Sequence, residues 1–401
     1  AGMIEMRIWI MKKDKLERLG QILQESVDAQ EIAGGNLLVM NQGKEIYYAQ
    51  AGMADIAAGK PISRDSLFRL YSMTKPITSA AVMLLMERGI VDLLDPIAKY
   101  IPSFTEMTVA GEAGDVKVQR QVTVKDCLSM TSGLVYNCDP DAASRDTAVV
   151  YRELDERLYS ENPMSTMEFA DKLGKCRLAF QPGSQWRYGT SADILGAVVE
   201  AASGMSFGEF LKKEFFQPLG MKDTDFRVSK ESMSRLTRVY EQTADGLIEY
   251  HGNHLGICNH MDAGKIAFES GGAGLISTIE DYKHFTQMLM QNGTYQGRTY
   301  LAPATVAYMT NGHLFPHQQP YMSGWENLAG FTYGNLMRVM TDPSVAVMNG
   351  SIGEYGWDGW LGPYFANMPA LDTTFLMMIQ KKDTGTFTLT RKLRNALAAA
   401  F

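Results

Sequence analysis

An antiparallel sheet built from both ends of the chain, flanked by N- and C-terminal helices and interrupted by a mostly helical insertion, is the α/β (α+β) architecture to expect of this sequence. Two patterns point there. Strand-like periodicity gathers near the termini, and the long middle reads as helices separated by turn residues. The expected division is residues 3–72 with 331–401 for the sheet domain and 73–330 for the inserted helical domain.

Residues 15–29 carry Leu16, Leu19, Ile22, Leu23 and Val27 at helical spacing, and then the period changes. Strands are expected at 36–40 and 45–50, joined by Asn41-Gln42-Gly43 as a hairpin. Residues 67–71 read as a buried strand, and 73–88 as a helix with Ile77, Ala81, Leu84 and Leu85 along one stripe. Pro76 is tolerable there because it falls in the first turn, where no intrahelical acceptor is lost. Within the insertion, Thr123 with Asp126 and Ser277 with Glu280 fit capping boxes, and Gly89, Gly133 and Gly204 sit where helices end. A hairpin over 237–251 would turn at Ala244-Asp245-Gly246. Further strands are expected at 337–341, 362–366 and 373–380, before a closing helix over 388–401 with Leu389, Leu393 and Leu397 on one face.

Composition narrows the partners. The net charge is −7, from 38 basic and 45 acidic residues, without the basic block that nucleic acid or an anionic lipid surface would need. The longest apolar stretch, 77–86, is about half of the roughly 20 residues a membrane-spanning helix requires. A small molecule is the expected partner. Cys127, Cys138, Cys176 and Cys258 lack CxxC spacing and are sparse, which fits a reducing compartment. The first residues are too short and too charged for a secretory signal, so a cytoplasmic location is expected. Neither repeats nor low-complexity tracts are present, and the sequence does not speak to oligomeric state.

The strongest chemical signal is Ser72-Met73-Thr74-Lys75. This S-x-x-K spacing puts a hydroxyl and an amine one helical turn apart on one face, suiting a serine nucleophile with a lysine base. Ser72 falls where a strand gives way to a helix, so backbone N–H groups and the positive end of the helix dipole favour negative charge developing beside it.

Residues 67–87, Met130-Thr131-Ser132-Gly133-Leu134, Pro182-Gly183 through Tyr188, Asp193-Ile194-Leu195-Gly196 and residues 268–278 together resemble the serine β-lactamase-like superfamily. The nearest groups within it are class C β-lactamases, D-alanyl-D-alanine carboxypeptidases and family VIII carboxylesterases. The resemblance runs over nearly the whole chain and implies a β-lactamase/transpeptidase-like fold. It makes Ser72 the acylated nucleophile, Lys75 its base partner and Tyr188 the tyrosine of the second motif. A lysine acts as a base only when neutral, so Lys75 must be desolvated, lie near another cation, or work through Tyr188.

The third motif of that family, Lys-Thr-Gly, is replaced by Trp357-Asp358-Gly359, on a strand expected to run on from Trp360. Losing the cation and gaining an aspartate should weaken binding of acidic substrates; the family VIII esterases resemble this chain in having an aromatic there, and the shift points to neutral esters. Gly359 lets the backbone approach a reacting carbonyl, and the amides of Ser72 and Trp360 would form the oxyanion hole. Tyr136 resembles a tyrosine that esterases of the group present to the site. The substrate implied is a small carboxylic ester, with no metal or organic cofactor. β-Lactam or peptide hydrolysis, acyl transfer or small-amide hydrolysis, and penicillin recognition without turnover are the alternatives.

Three further patterns are set aside. Gly204-Met205-Ser206-Phe207-Gly208 imitates a nucleophile elbow, but helix rather than strand precedes it, and Ser206 with Glu209 reads as a capping box. Lys382-Asp383-Thr384-Gly385 imitates Lys-Thr-Gly but follows the last strand as a turn, so contact with substrate is not expected. His251, His254, Cys258 and His260 crowd into ten residues without a common zinc spacing.

Overall fold

The structure, a computed structural model, describes residues 11–254, 257 and 266–401. Three strands come from the N-terminal end: β1 (Gly34–Asn41), β2 (Lys44–Asp55) and β3 (Lys60–Pro61). β4 (Phe68–Arg69) pairs separately with β5 (Ile276–Ser277). Five more come from the C-terminal end: β6 (Phe331–Gly334), β7 (Met337–Met340), β8 (Tyr355–Asp358), β9 (Tyr364–Met368) and β10 (Thr373–Ile379). Together with β1, β2 and β3 they form an eight-stranded sheet in the order β6-β7-β8-β9-β10-β1-β2-β3, antiparallel at each pairing.

The central pair shows why both faces are covered. β1 and β10 are apolar at successive positions, with Leu37 opposite Met377 and Leu38 opposite Leu376. The pleat sends alternate residues to opposite faces, so an unbroken apolar run requires a packed layer on each. Leu37, Val39, Phe375 and Met377 share one core with Leu19 and Leu23 of α1 (Glu17–Asp28). Leu38, Met40, Leu376 and Met378 share the other with Ile77 of α2 (Lys75–Glu87), Leu195 of α3 (Ser191–Ser203) and Phe285 of α4 (Ile279–Met290). α5 (Thr388–Ala398) closes the first layer through Leu389, Leu393 and Leu397. Residues 75–85 of α2 are all buried, which accounts for the apolar stretch at 77–86 as a core helix.

Several expectations shift. β9 begins at Tyr364, two residues later than anticipated, because Gly362 at φ 98° still belongs to the turn from β8. The expected strand at 67–71 is only β4, after which Tyr71, at φ 46°, starts a 3₁₀ turn over Tyr71–Thr74. Ser72 therefore sits inside that turn. The cap of α4 is Thr278 with Asp281, one residue beyond the expected box. The helix Val124–Leu128 has the Thr123–Asp126 box, but it ends well before Gly133. The middle hairpin pairs Tyr240–Thr243 with Gly246–Glu249 as anticipated.

Candidate active site

Ser72 enters the site on the 3₁₀ turn, and Lys75 follows as the first residue of α2. The one-turn spacing brings Lys75 Nζ to 3.0 Å from Ser72 Oγ. Lys75 is fully buried. Its amine also donates to the hydroxyl of Tyr136 at 2.8 Å and to the Gly272 carbonyl at 2.9 Å. These three acceptors match the three protons of an ammonium; when one proton leaves, the Ser72 hydroxyl becomes the donor.

Tyr188 reaches the same oxygen from a distant stretch of chain. The segment after the Pro182-Gly183 turn runs beside Met130 and Thr131, with Gly183 N donating to Thr131 O at 2.8 Å and Arg187 N to Met130 O at 2.9 Å. Trp186 lies nearly parallel to the Tyr188 ring at 6.5 Å. So placed, the Tyr188 hydroxyl donates to Ser72 Oγ at 2.6 Å and accepts from the Trp357 indole N–H at 3.0 Å. The aromatic at the third-motif position thus offers the phenol a neutral donor. Trp357 lies near the end of β8, and the strand runs into Asp358 rather than on from Trp360. Two strands, β9 and β10, follow it.

A Cβ on Gly359 would fall 2.3 Å from the Leu70 carbonyl oxygen, so the chain after β8 can approach the turn bearing Ser72 only with glycine there. Gly359 N donates to Pro363 O, whereas the Ser72 and Trp360 amides meet no backbone carbonyl among the described residues.

Desolvation pushes the Lys75 amine down to about 7, opposed by the charges of Asp193 and Asp358. Burial raises the Tyr188 and Tyr136 phenols above their ordinary range. Asp193, buried in the first turn of α3, accepts from the Ser270 hydroxyl at 2.5 Å and from Gly272 N at 3.3 Å. It thereby holds the loop whose carbonyl receives Lys75.

A cavity of about 370 Å³ opens at Ser72 and Tyr188, walled by residues 357–360 and by Trp325 and Asn327. Residues 383–386 also line it, so the Lys382–Gly385 turn set aside above does reach the cleft. Trp325 and Asn327 carried no sequence signal. Ser206 caps the helix Phe207–Leu211, accepting from Glu209 N, and lines a different cavity with Arg227 and Glu269. His254 contacts the Tyr71 hydroxyl, and His251 lies 3.7 Å from Glu249. Cys258 and His260 fall outside the described residues. Among the described residues no group of three or more His, Cys, Asp or Glu side chains is arranged to hold a metal ion.

A family model described as beta-lactamase matches residues 19–400. The chain belongs to the beta-lactamase family. Proteins similar to it include esterase EstB of Burkholderia gladioli, 28% identical over 398 residues and covering 95% of each chain. Lovastatin esterase of Penicillium rubens is 29% identical over 355 residues, covering 84% of each. Among solved structures, EstCE1, a hydrolase with promiscuous acyltransferase activity, superposes with a TM-score of 0.81 at 24% identity, over 96% of this chain and 99% of that one. The superposition shows the β-lactamase/transpeptidase-like fold, and the family is one of serine hydrolases that includes esterases and carboxypeptidases.

Proposed function

We propose that this protein hydrolyses carboxylic esters through an acyl-enzyme on Ser72. The observation that carries the reading is the convergence of an amine and a phenol on one serine oxygen, at 3.0 Å and 2.6 Å. Neutral Lys75 takes the Ser72 proton as Oγ bonds to the ester carbonyl carbon. The Ser72 and Trp360 amides receive the oxyanion. The carbonyl re-forms as the bond to the alcohol breaks, and the alkoxide takes the proton held by the Lys75–Tyr188 pair. Water then repeats the sequence and releases the acid. Tyr136, donating or accepting at the amine, keeps Lys75 aimed at Ser72. Asp358 and the indole at position 357 replace a cation, which disfavours the acidic substrates of the lactamases and peptidases.

The test is turnover of a short-chain chromogenic ester, with intact mass recorded during the reaction. Ser72→Ala should remove both activity and the acyl adduct, while Ser206→Ala keeps both. Full activity in Ser72→Ala overturns the mechanism.

A further inference from the structure

The cleft beside Ser72 has an unusual balance of charge. Its lining holds two carboxylates, Asp358 and Asp383, and neither lysine nor arginine among the described residues. Lys75 lies beneath it, fully buried. The remaining wall is strongly aromatic: Trp325, Trp357, Trp360 and Tyr188. Trp325 stacks on Trp357 at 6.3 Å with 20° between the planes, meets the Tyr188 ring edge-on at 5.3 Å, and keeps 38% of its surface exposed. On the other side, the Trp360 indole N–H donates to Asp383 Oδ1 at 2.7 Å, fixing the 383–386 turn against the cleft.

Among the described residues neither carboxylate is ion-paired to a buried cation. Asp383 has one ion pair among the described residues, 3.2 Å to Lys382 at the surface, and exposed pairs of this kind contribute little. Burial disfavours the charged form of Asp358, opposed by the more distant charges of Arg338 and Lys75 and by the Thr386 hydroxyl that donates to it. A cation entering the cleft would offset that cost and lie against ring faces whose quadrupoles attract positive charge. An anion would meet two carboxylates, and a neutral group would add nothing to offset them.

We infer that the ester recognised here carries a positive charge, as an amino or quaternary ammonium group on its acyl or alcohol part, held by Asp358, Asp383 and the tryptophan faces. This rests on the esterase reading above and names its substrate class.

The experiment compares kcat/KM for matched pairs of esters. In one pair the alcohol is choline or the analogue with a tert-butyl group in place of trimethylammonium; in the other the same exchange is made on the acyl chain. The cationic member of at least one pair should be favoured by about tenfold or more. That ratio should fall toward unity in Asp358→Asn and in Asp383→Asn. On the unaltered protein, tetramethylammonium should inhibit turnover of the preferred cationic ester competitively. If no ester acylates Ser72, the esterase reading itself fails. If esters are turned over but neither pair favours the cation, the charge assignment fails while esterase activity stands. A preference untouched by both substitutions, or by tetramethylammonium, overturns the placement in this cleft.

Discussion

Two buried cations occupy opposite layers of this fold, and their surroundings differ in one respect. Arg394 of α5 faces Glu354, with the arginine 1% and the glutamate 0% exposed, donates to Glu354 Oε2 at 2.8 Å and also reaches the Tyr364 hydroxyl. Its guanidinium is held above the ordinary range chiefly by that carboxylate, against the cost of burial. Lys75 is as deeply buried, yet among the described residues no carboxylate lies within ion-pair reach of it. Its partners are hydroxyls and a carbonyl, and its amine drops to about 7. The paired arginine is suited to structure, whereas a buried lysine with neutral partners is suited to the base role proposed for it.

The sharpest way to break this contrast is Lys75→Arg, which preserves charge but removes a group able to lose its proton. Ester kcat/KM should fall by about a thousandfold or more, with the fold intact by circular dichroism. A rate near the original would mean that the amine is not the base. Next comes Glu354→Gln, which strands the arginine. Denaturant unfolding should show a loss of about 3–5 kcal/mol, while activity per folded molecule is kept. A loss under about 1 kcal/mol would place the pair among ornamental contacts.

The smallest effect concerns pH. The neutral fraction of Lys75 falls as pH drops through about 7, so kcat/KM should decline below that point. Asp193 raises the amine's affinity for its proton, so Asp193→Asn should move this acid limb to lower pH by on the order of one unit. A limb that stays put or moves upward would remove Asp193 as a positioning residue. The same amine makes folding more favourable as pH rises from about 7 toward 10.5, because over that window the unfolded chain holds a proton that the folded one has lost.

Much of the sheet was legible because its strands are apolar runs bounded by turn residues, as in β1, β2 and β10. β6 and β8 were not: Phe331–Gly334 and Tyr355–Asp358 are four-residue strands interrupted or ended by glycine, too short to show a period. In the site, S-x-x-K spacing is local chemistry and can be read directly. The Gly272 carbonyl that receives Lys75 cannot, since every residue has a carbonyl. The aromatic at position 357 was visible, but its N–H bond to Tyr188 depends on two segments 169 residues apart. Lys382–Gly385 was legible as a turn, yet the place of residues 383–386 in the cleft wall depends on how β10 lies beside β9.

The indole that faces the Tyr188 hydroxyl has a further consequence. Unlike an ammonium, it keeps the same formal charge in acid and in alkali, so the phenol's neighbour is silent to the solvent's proton activity. In the proposed mechanism the acid limb then follows the Lys75 amine and the carboxylates that act on it, and this contact adds no titration of its own.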